Sequence, residues 1–276
     1  MKETIPNLDG TSRIYAVFGD PIAQVQTPHL VNPIFSAAKT NIFAMPFHVT
    51  PENFSATWDA FAVMSNVAGI GVTVPHKVVA AERCATLTAT ARAVGAVNSI
   101  HRGQDGRMHG ALFDGVGFIH GLGDGKAALK NARVLMVGAG GAGRAIAYAL
   151  AEEGVSHLRL MDLDPASIAF AKDLVNSFAG RDVASGVFPS DGWDYDVVIN
   201  ASPIGIKGGS RFPMPEDSIR SSMLVADIAS LAGETELLRA ARAAGATISD
   251  GNDMLSAQLR LIAGFAAGLP AGIPLE

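Results

Sequence analysis

Two stretches carry residues whose type and spacing could do chemistry. In GVTVPHK, residues 71–77, valines alternate with smaller or polar neighbours as in a half-buried strand, a proline ends the run, and the Lys77 ammonium follows at once. Such a lysine can donate a proton or, having lost one, accept it. In RVLMVGAGGAG, residues 133–143, an apolar strand pattern runs into a GxGxxG turn and then into the helical pattern RAIAYALAEEG. Gly138 and Gly140 allow a tight turn and close backbone approach to a pyrophosphate, and Gly143 lets the helix pack on the sheet. Ala139, Gly141 and Ala142 complete the turn, and the unpaired N–H groups and positive end of the helix that follows favour an anion.

About 20 residues beyond that turn, the next strand pattern, HLRLM, ends at Asp162. A carboxylate there can accept hydrogen bonds from adenosine ribose hydroxyls and would repel a 2′-phosphate, so NAD is expected, with NADP the less favoured cofactor. The turn alone is shared with sites for FAD and S-adenosylmethionine, and a simple glycine connection of strand to helix is the plainest alternative.

The elements around these stretches must be α/β. Strand-like runs IYAVFGD, IFAMPFHV and GIGVTV alternate with helical runs through about residue 113, a βαβ rhythm. A second series begins at RVLMV and continues through HLRLMDLD, DYDVVINAS and SMLVADIAS, each run short and apolar as parallel strands covered on both faces should be. The glycine-bearing bridge DGVGFIHGLGDGKAALKN marks the junction. Two domains are expected: residues 1–113 with 250–276 as one, and 114–249 as a Rossmann domain. The last helix folds back onto the first domain, and the first dozen residues and the tail after Leu269 are expected to fray.

Composition excludes several classes. The chain has 276 residues, 49% hydrophobic and 17% charged, with a net charge of -5 and no basic run, so nucleic acid is not an expected partner. No stretch reaches the roughly 18 to 20 apolar residues of a membrane span, and no signal-peptide core opens the sequence, which points to a cytoplasmic protein. A single cysteine, Cys84, rules out an internal disulfide and reads as an inert thiol in a helix. Seven histidines come without an HExxH or a Cys/His cluster, so no metal is expected. His76 reads as solvent-facing.

Across nearly the whole chain the segments GDPIA (19–23), VTVPHK (72–77), GAVNS (95–99), FDG (113–115), GAGGAGRA (138–145), NASPIG (200–205), GETELL (233–238) and MLSAQ (254–258) resemble shikimate dehydrogenases in order and spacing. The resemblance implies a substrate domain completed by the last helix, a Rossmann domain, a cleft between them, and reversible hydride transfer between a nicotinamide and a ring hydroxyl of a cyclic hydroxy acid. It implies that Lys77 and Asp114 are the catalytic pair, titrating together with no private base. Lys77 would stand in a first helical turn, where the dipole disfavours a cation and Asp114 would offset that effect. Thr27, Thr73, Asn98 and Gln258 are implied to face the substrate. Asn200, Ala201 and Ser202 of NASPIG, with Gly251 and Met254, are implied to lie near the cofactor.

The substrate side departs from the family. Val25 stands where a serine is usual, Gly71 where an asparagine is, Leu112 and Phe113 where Asn-Thr is, and Ser230 where a tyrosine is. Losing several hydrogen bonds predicts either an altered, less hydroxylated acid or compensation by neighbours such as Gln24 and Gln26, with shikimate or quinate still used. A methylenetetrahydrofolate dehydrogenase fits GAVNS and MLSAQ less well, and a non-catalytic NAD-responsive binding protein would need neither Lys77 nor Asp114. The partner is expected to be a small molecule, and the protein a monomer or homodimer.

Overall fold

The computed structural model describes residues 8–186, 193–205, 214–229 and 233–276, so Ser230 and the first seven residues lie outside the described residues. Its contacts divide the chain into two units, one ending at Leu112 and regained at Leu259–Glu276, the other Phe113–Gln258.

The first unit contains β1 (Arg13–Gly19), α1 (Thr27–Ala37), β2 (Ile42–His48), α2 (Phe54–Val63), β3 (Val67–Val72), α3 (Lys77–Arg83), β4 (Thr86–Leu87), α4 (Ala89–Val94), β5 (Ser99–Arg102) and β6 (Met108–Ala111). They form a six-stranded sheet in the order β2-β1-β3-β5-β6-β4. β1 pairs in parallel with β2 and β3, as the βαβ rhythm predicts. β5 runs antiparallel to both β3 and β6, a hairpin that departs from that rhythm. Its turn is closed by Gly106 at φ +79, and the short connection leaves no room for a crossover helix. Phe18 anchors the core, its ring edge-on to Phe47, Phe54 and Phe61; burying such a ring stabilises by about 1.5–3 kcal/mol. The tail after Leu269 does not fray: Leu275 N–H donates to Arg260 O, and Arg260 Nη1 donates to Leu275 O, each at 2.9 Å.

The second unit contains α5 (Asp114–Gly121), β7 (Arg133–Val137), α6 (Gly141–Glu152), β8 (His157–Met161), α7 (Pro165–Ala179), β9 (Ala184–Ser185), β10 (Val197–Asn200), β11 (Leu224–Asp227), α8 (Glu236–Ala243), β12 (Thr247–Asp250) and the start of α9 (Gly251–Ala266). All its strand pairs are parallel, in the order β12-β11-β10-β7-β8-β9. That is the doubly wound Rossmann order, with its switch point between β7 and β10. Both faces are covered. Val134 and Met136, Val197 and Ile199, and Leu224 and Ala226 pack in one apolar cluster, while the intervening Leu135, Val198 and Val225 pack in the other. Helix ends follow local chemistry: Asp164 accepts N–H bonds from Ala166 and Ser167 at the start of α7, Pro165 takes the first position, and Gly180 at φ +65 ends it.

Candidate active site

In the first unit the carboxyl ends of β1, β2 and β3 are laced together. Thr73 N–H donates to Phe18 O at 3.0 Å, Asp20 N–H to Val74 O at 3.0 Å, and Val49 N–H to Gly19 O at 3.2 Å. His76, expected in solvent, is instead 1% exposed. Its Nε2 lies 2.6 Å from Val49 O, and because a carbonyl only accepts, Nε2 carries the proton. Its ring stacks on Phe54 with centroids 4.7 Å apart. Nothing in the string PHK signals this burial, since the partners come from the β2 end and α2.

Lys77 is the first residue of α3 and half-buried. Its carbonyl accepts from Val97 N–H at 3.0 Å, and the next residue, Asn98, donates its N–H to Ala111 O and accepts at its carbonyl from Val72 N–H, both at 3.0 Å. Thr73, Lys77 and Asn98 are thus brought onto adjoining backbone. Thr27 opens α1, half-buried. A Cβ on Gly71 would stand 3.1 Å from both the ring and the hydroxyl of Tyr15, whose hydroxyl pairs with Ser99 Oγ at 2.8 Å. Tyr15 therefore occupies the space that a side chain at position 71 would need, and burial raises its pKa well above the ordinary phenol value. Leu112 and Phe113 are both buried. Cys84 is no nucleophile: burial pushes its thiol up to about 12.

In the second unit Asp114 is the first residue of α5 and 3% exposed, at a helix N-terminus where the dipole favours a carboxylate. α5 lies close against its neighbours through glycine: a Cβ on Gly117 would stand 2.9 Å from Gln258 Cβ, and one on Gly121 2.8 Å from the Asp253 and Met254 backbone. One turn of α5 thus separates Asp114 from the position that touches Gln258, itself 5% exposed. The start of α9 is capped by Asp250, whose Oδ1 accepts from Asn252 N–H and Asp253 N–H at 2.8 and 3.0 Å. Gly251 is buried there. Met254, expected beside the nicotinamide, is 7% exposed and belongs to the apolar core with Phe118 and Ile119.

The glycine turn has the geometry its sequence predicts. Gly138 has φ +103, and a Cβ on it would stand 2.5 Å from the Ala201 carbonyl group. A Cβ on Gly143 would collide with the Gly138 carbonyl oxygen, so the helix reaches the strand only because the side chain is absent. Gly140 has open space beside it, and α6 begins without a side-chain cap. The turn at the switch point therefore presents uncapped N–H groups to an anion, a fit to a dinucleotide pyrophosphate. Asp162 is half-buried; its Oδ2 accepts Ala139 N–H at 2.6 Å and its Oδ1 accepts Asp164 N–H at 2.9 Å. Arg144 braces the same turn, Nε donating to Ala139 O at 3.1 Å and Nη2 to Ser167 Oγ at 3.3 Å, with its guanidinium 4.3 Å from the Phe170 ring centre. Asn200 ends β10, and Ala201 and Ser202 follow it, at the other side of the switch point. Among the described residues no group of three or more His, Cys, Asp or Glu is placed to hold a metal ion, and no helix is long and apolar enough to cross a membrane.

Comparison with known proteins covers both units. The family model for the shikimate dehydrogenase substrate binding domain matches residues 17–100, and one for the ThiF family matches residues 119–169. A shikimate dehydrogenase (NADP(+)) of Anaeromyxobacter dehalogenans is 33% identical over 268 residues, covering 96% of this chain and 94% of the relative. Quinate dehydrogenase from Corynebacterium glutamicum, solved with NAD, superposes with TM-score 0.83 at 27% identity over 94% of each chain. The ligand-free 5-ketofructose reductase of a Gluconobacter strain superposes with TM-score 0.80 at 26% identity, covering 96% of this chain and 95% of that one.

Proposed function

The chain belongs to the shikimate dehydrogenase family, and on that footing we propose that it moves a hydride reversibly between a nicotinamide dinucleotide and a ring hydroxyl of shikimate, quinate or a related cyclic hydroxy acid. The substrate is assigned to residues 1–113 with 250–276 and the dinucleotide to 114–249. The observation that carries the reading is the turn at residues 138–143, open beside Gly140, tight at Gly138 and Gly143, and lying at the switch point of a Rossmann sheet.

The nicotinamide supplies a hydride acceptor in one direction and a donor in the other. Lys77 and Asp114 handle the proton. In oxidation the hydroxyl proton passes to this pair as the substrate carbon loses its hydride; in reduction the pair returns a proton to the carbonyl oxygen. Lys77 stands at the first position of α3 and the buried Asp114 at the first position of α5, so each side chain leaves the backbone from a fixed point at a helix start. Thr27, Thr73, Asn98 and Gln258 are assigned to substrate hydroxyl or carboxylate groups. Asn200, Ala201, Ser202, Gly251 and Met254 are assigned to the cofactor, with the turn at 138–143 and Asp162.

NAD is the proposed preference. Asp162 adds a negative charge beside the turn, and Arg144, which braces the same turn, is engaged with Ala139 and Ser167. The NADP(+) in the name of the Anaeromyxobacter relative keeps the second cofactor in the test.

Tyr15, filling the space beside Gly71, favours a second reading of the substrate: a cyclic acid with fewer hydroxyls, since a ring hydroxyl buried without a hydrogen-bond partner costs about 1–3 kcal/mol. Steady-state turnover of shikimate, quinate and their deoxy analogues with each dinucleotide tests both readings. Turnover of shikimate or quinate supports the first, turnover of a deoxy acid alone supports the second, and no turnover of any of them with either cofactor would overturn both.

A further inference from the structure

At the carboxyl end of β11 lies a buried carboxylate that the proton chemistry does not use. Asp227 is 1% exposed and accepts three hydrogen bonds: Thr235 Oγ1 at 2.7 Å, Asn200 Nδ2 at 3.0 Å and Ala229 N–H at 3.0 Å. Asn200 is equally buried and has four bonds. Besides Asp227, its Nδ2 donates to Ile204 O at 2.9 Å, while its Oδ1 accepts the Ser202 N–H at 3.1 Å and the Ser202 hydroxyl at 2.7 Å. Ser202 Oγ in turn accepts Ile204 N–H at 3.2 Å. The whole loop 200–205 is therefore wound around one amide, whose orientation Asp227 dictates: a carboxylate only accepts, so the NH2 group must point to it and the oxygen to Ser202. The Ala201 backbone in this loop is the group that crowds Gly138.

Burial raises the pKa of Asp227 above the ordinary carboxylate value, against the three bonds that lower it. A raised carboxylate favours the folded state at low pH and loses that contribution as pH rises through the folded value, so ionising Asp227 costs stability.

We infer that Asp227 is a positioning residue for the dinucleotide site: through Asn200 it fixes loop 200–205 against the glycine turn. Thr235, which caps α8 and donates to Asp227 Oδ2, makes the helix the outer support of the same relay. The inference rests on the reading of residues 138–143 as the dinucleotide site, and one arm of its test does not.

That arm is amide hydrogen exchange of the unliganded protein. Asp227→Ala should raise exchange at Ser202 and Ile204 by at least about ten-fold, the effect of losing one hydrogen bond to a charged group, with β7 and β8 unchanged. The second arm is binding of NAD and NADP by titration, together with KM values. Asp227→Ala should weaken dinucleotide binding about ten-fold and raise the dinucleotide KM, leaving the KM of the cyclic acid in place. Asp227→Asn should restore most of both, because its Oδ1 still accepts from Asn200 and Ala229 and its amide can donate to Thr235. If the alanine variant fails to fold, Thr235→Val, which removes the hydroxyl bonded to Asp227 Oδ2, takes its place: exchange at Ser202 and Ile204 raised above the parent's with β7 and β8 unchanged supports the inference, and exchange there equal to the parent's overturns it. Exchange at 202 and 204 unchanged in Asp227→Ala, or raised equally across the β7 and β8 amides, would overturn the inference while leaving the dinucleotide site intact. A parent protein that binds neither dinucleotide would overturn both.

Discussion

The Asp162 carboxylate accepts the Ala139 backbone N–H at 2.6 Å, which ties the end of β8 to the middle of the glycine turn. The same side chain thus shapes the loop and adds a negative charge beside it. A ribose with free hydroxyls can donate to that carboxylate, whereas a 2′-phosphate meets like charge. The parent should show a higher kcat/KM with NAD than with NADP. Asp162→Ser should cut NAD efficiency about ten-fold and narrow the gap, the loss of one hydrogen bond to a charged acceptor. Equal efficiencies in the parent would remove Asp162 from cofactor selection.

Gly143 and Gly140 separate packing from binding. Gly143→Ala puts a methyl group into the Gly138 carbonyl and should lower unfolding free energy by about 1–3 kcal/mol, read from the denaturant midpoint. Gly140→Ala meets open space in the protein, so its midpoint should stay close to the parent's while dinucleotide binding weakens. Two variants with the same loss of stability and the same binding would contradict the geometry of the turn.

His101 sets an acid limit on stability. Burial of its ring lowers its pKa below 6.5, helped by the charges of His109 and Arg13 and opposed by its bond to the Ala266 backbone and by Asp105. The unfolded chain then binds the proton more readily, so stability is full above about pH 6.5 and is lost as pH falls towards the folded value. Melting temperature should drop as pH falls below about 6.5 in the parent and drop less in His101→Gln. Identical pH profiles for the two proteins would assign the acid sensitivity elsewhere.

Residues whose geometry demands a particular type were legible in the sequence. Gly138, Gly140 and Gly143 could be read because only glycine allows the positive φ, the open approach and the helix contact, and all three constraints are local. The parallel strands β1, β2, β3, β7, β8, β10 and β11 carried enough apolar run to be seen. The hairpin of β5 and β6 was not, because Ser99–Arg102 and Met108–Ala111 mix histidine and arginine with small residues and lack the apolar run of the equally short β10 and β11. His76 and the Asp227–Asn200 pair escaped for a different reason. Their partners are 27 residues away in both cases, and no local pattern marks a polar side chain that tertiary packing will bury. Gly71 was visible as a departure from the family, but only the structure shows that Tyr15 lies against it.

The central claim is that Lys77, with Asp114, moves the substrate proton. It is tested most directly by kcat of Lys77→Ala on whichever cyclic acid the parent oxidises, measured beside the dissociation constant for the dinucleotide. The account predicts a kcat reduced by about 10²–10⁴-fold, the usual worth of a positioned acid–base group, with dinucleotide affinity within about two-fold of the parent. A variant that turns over at the parent's rate would contradict it.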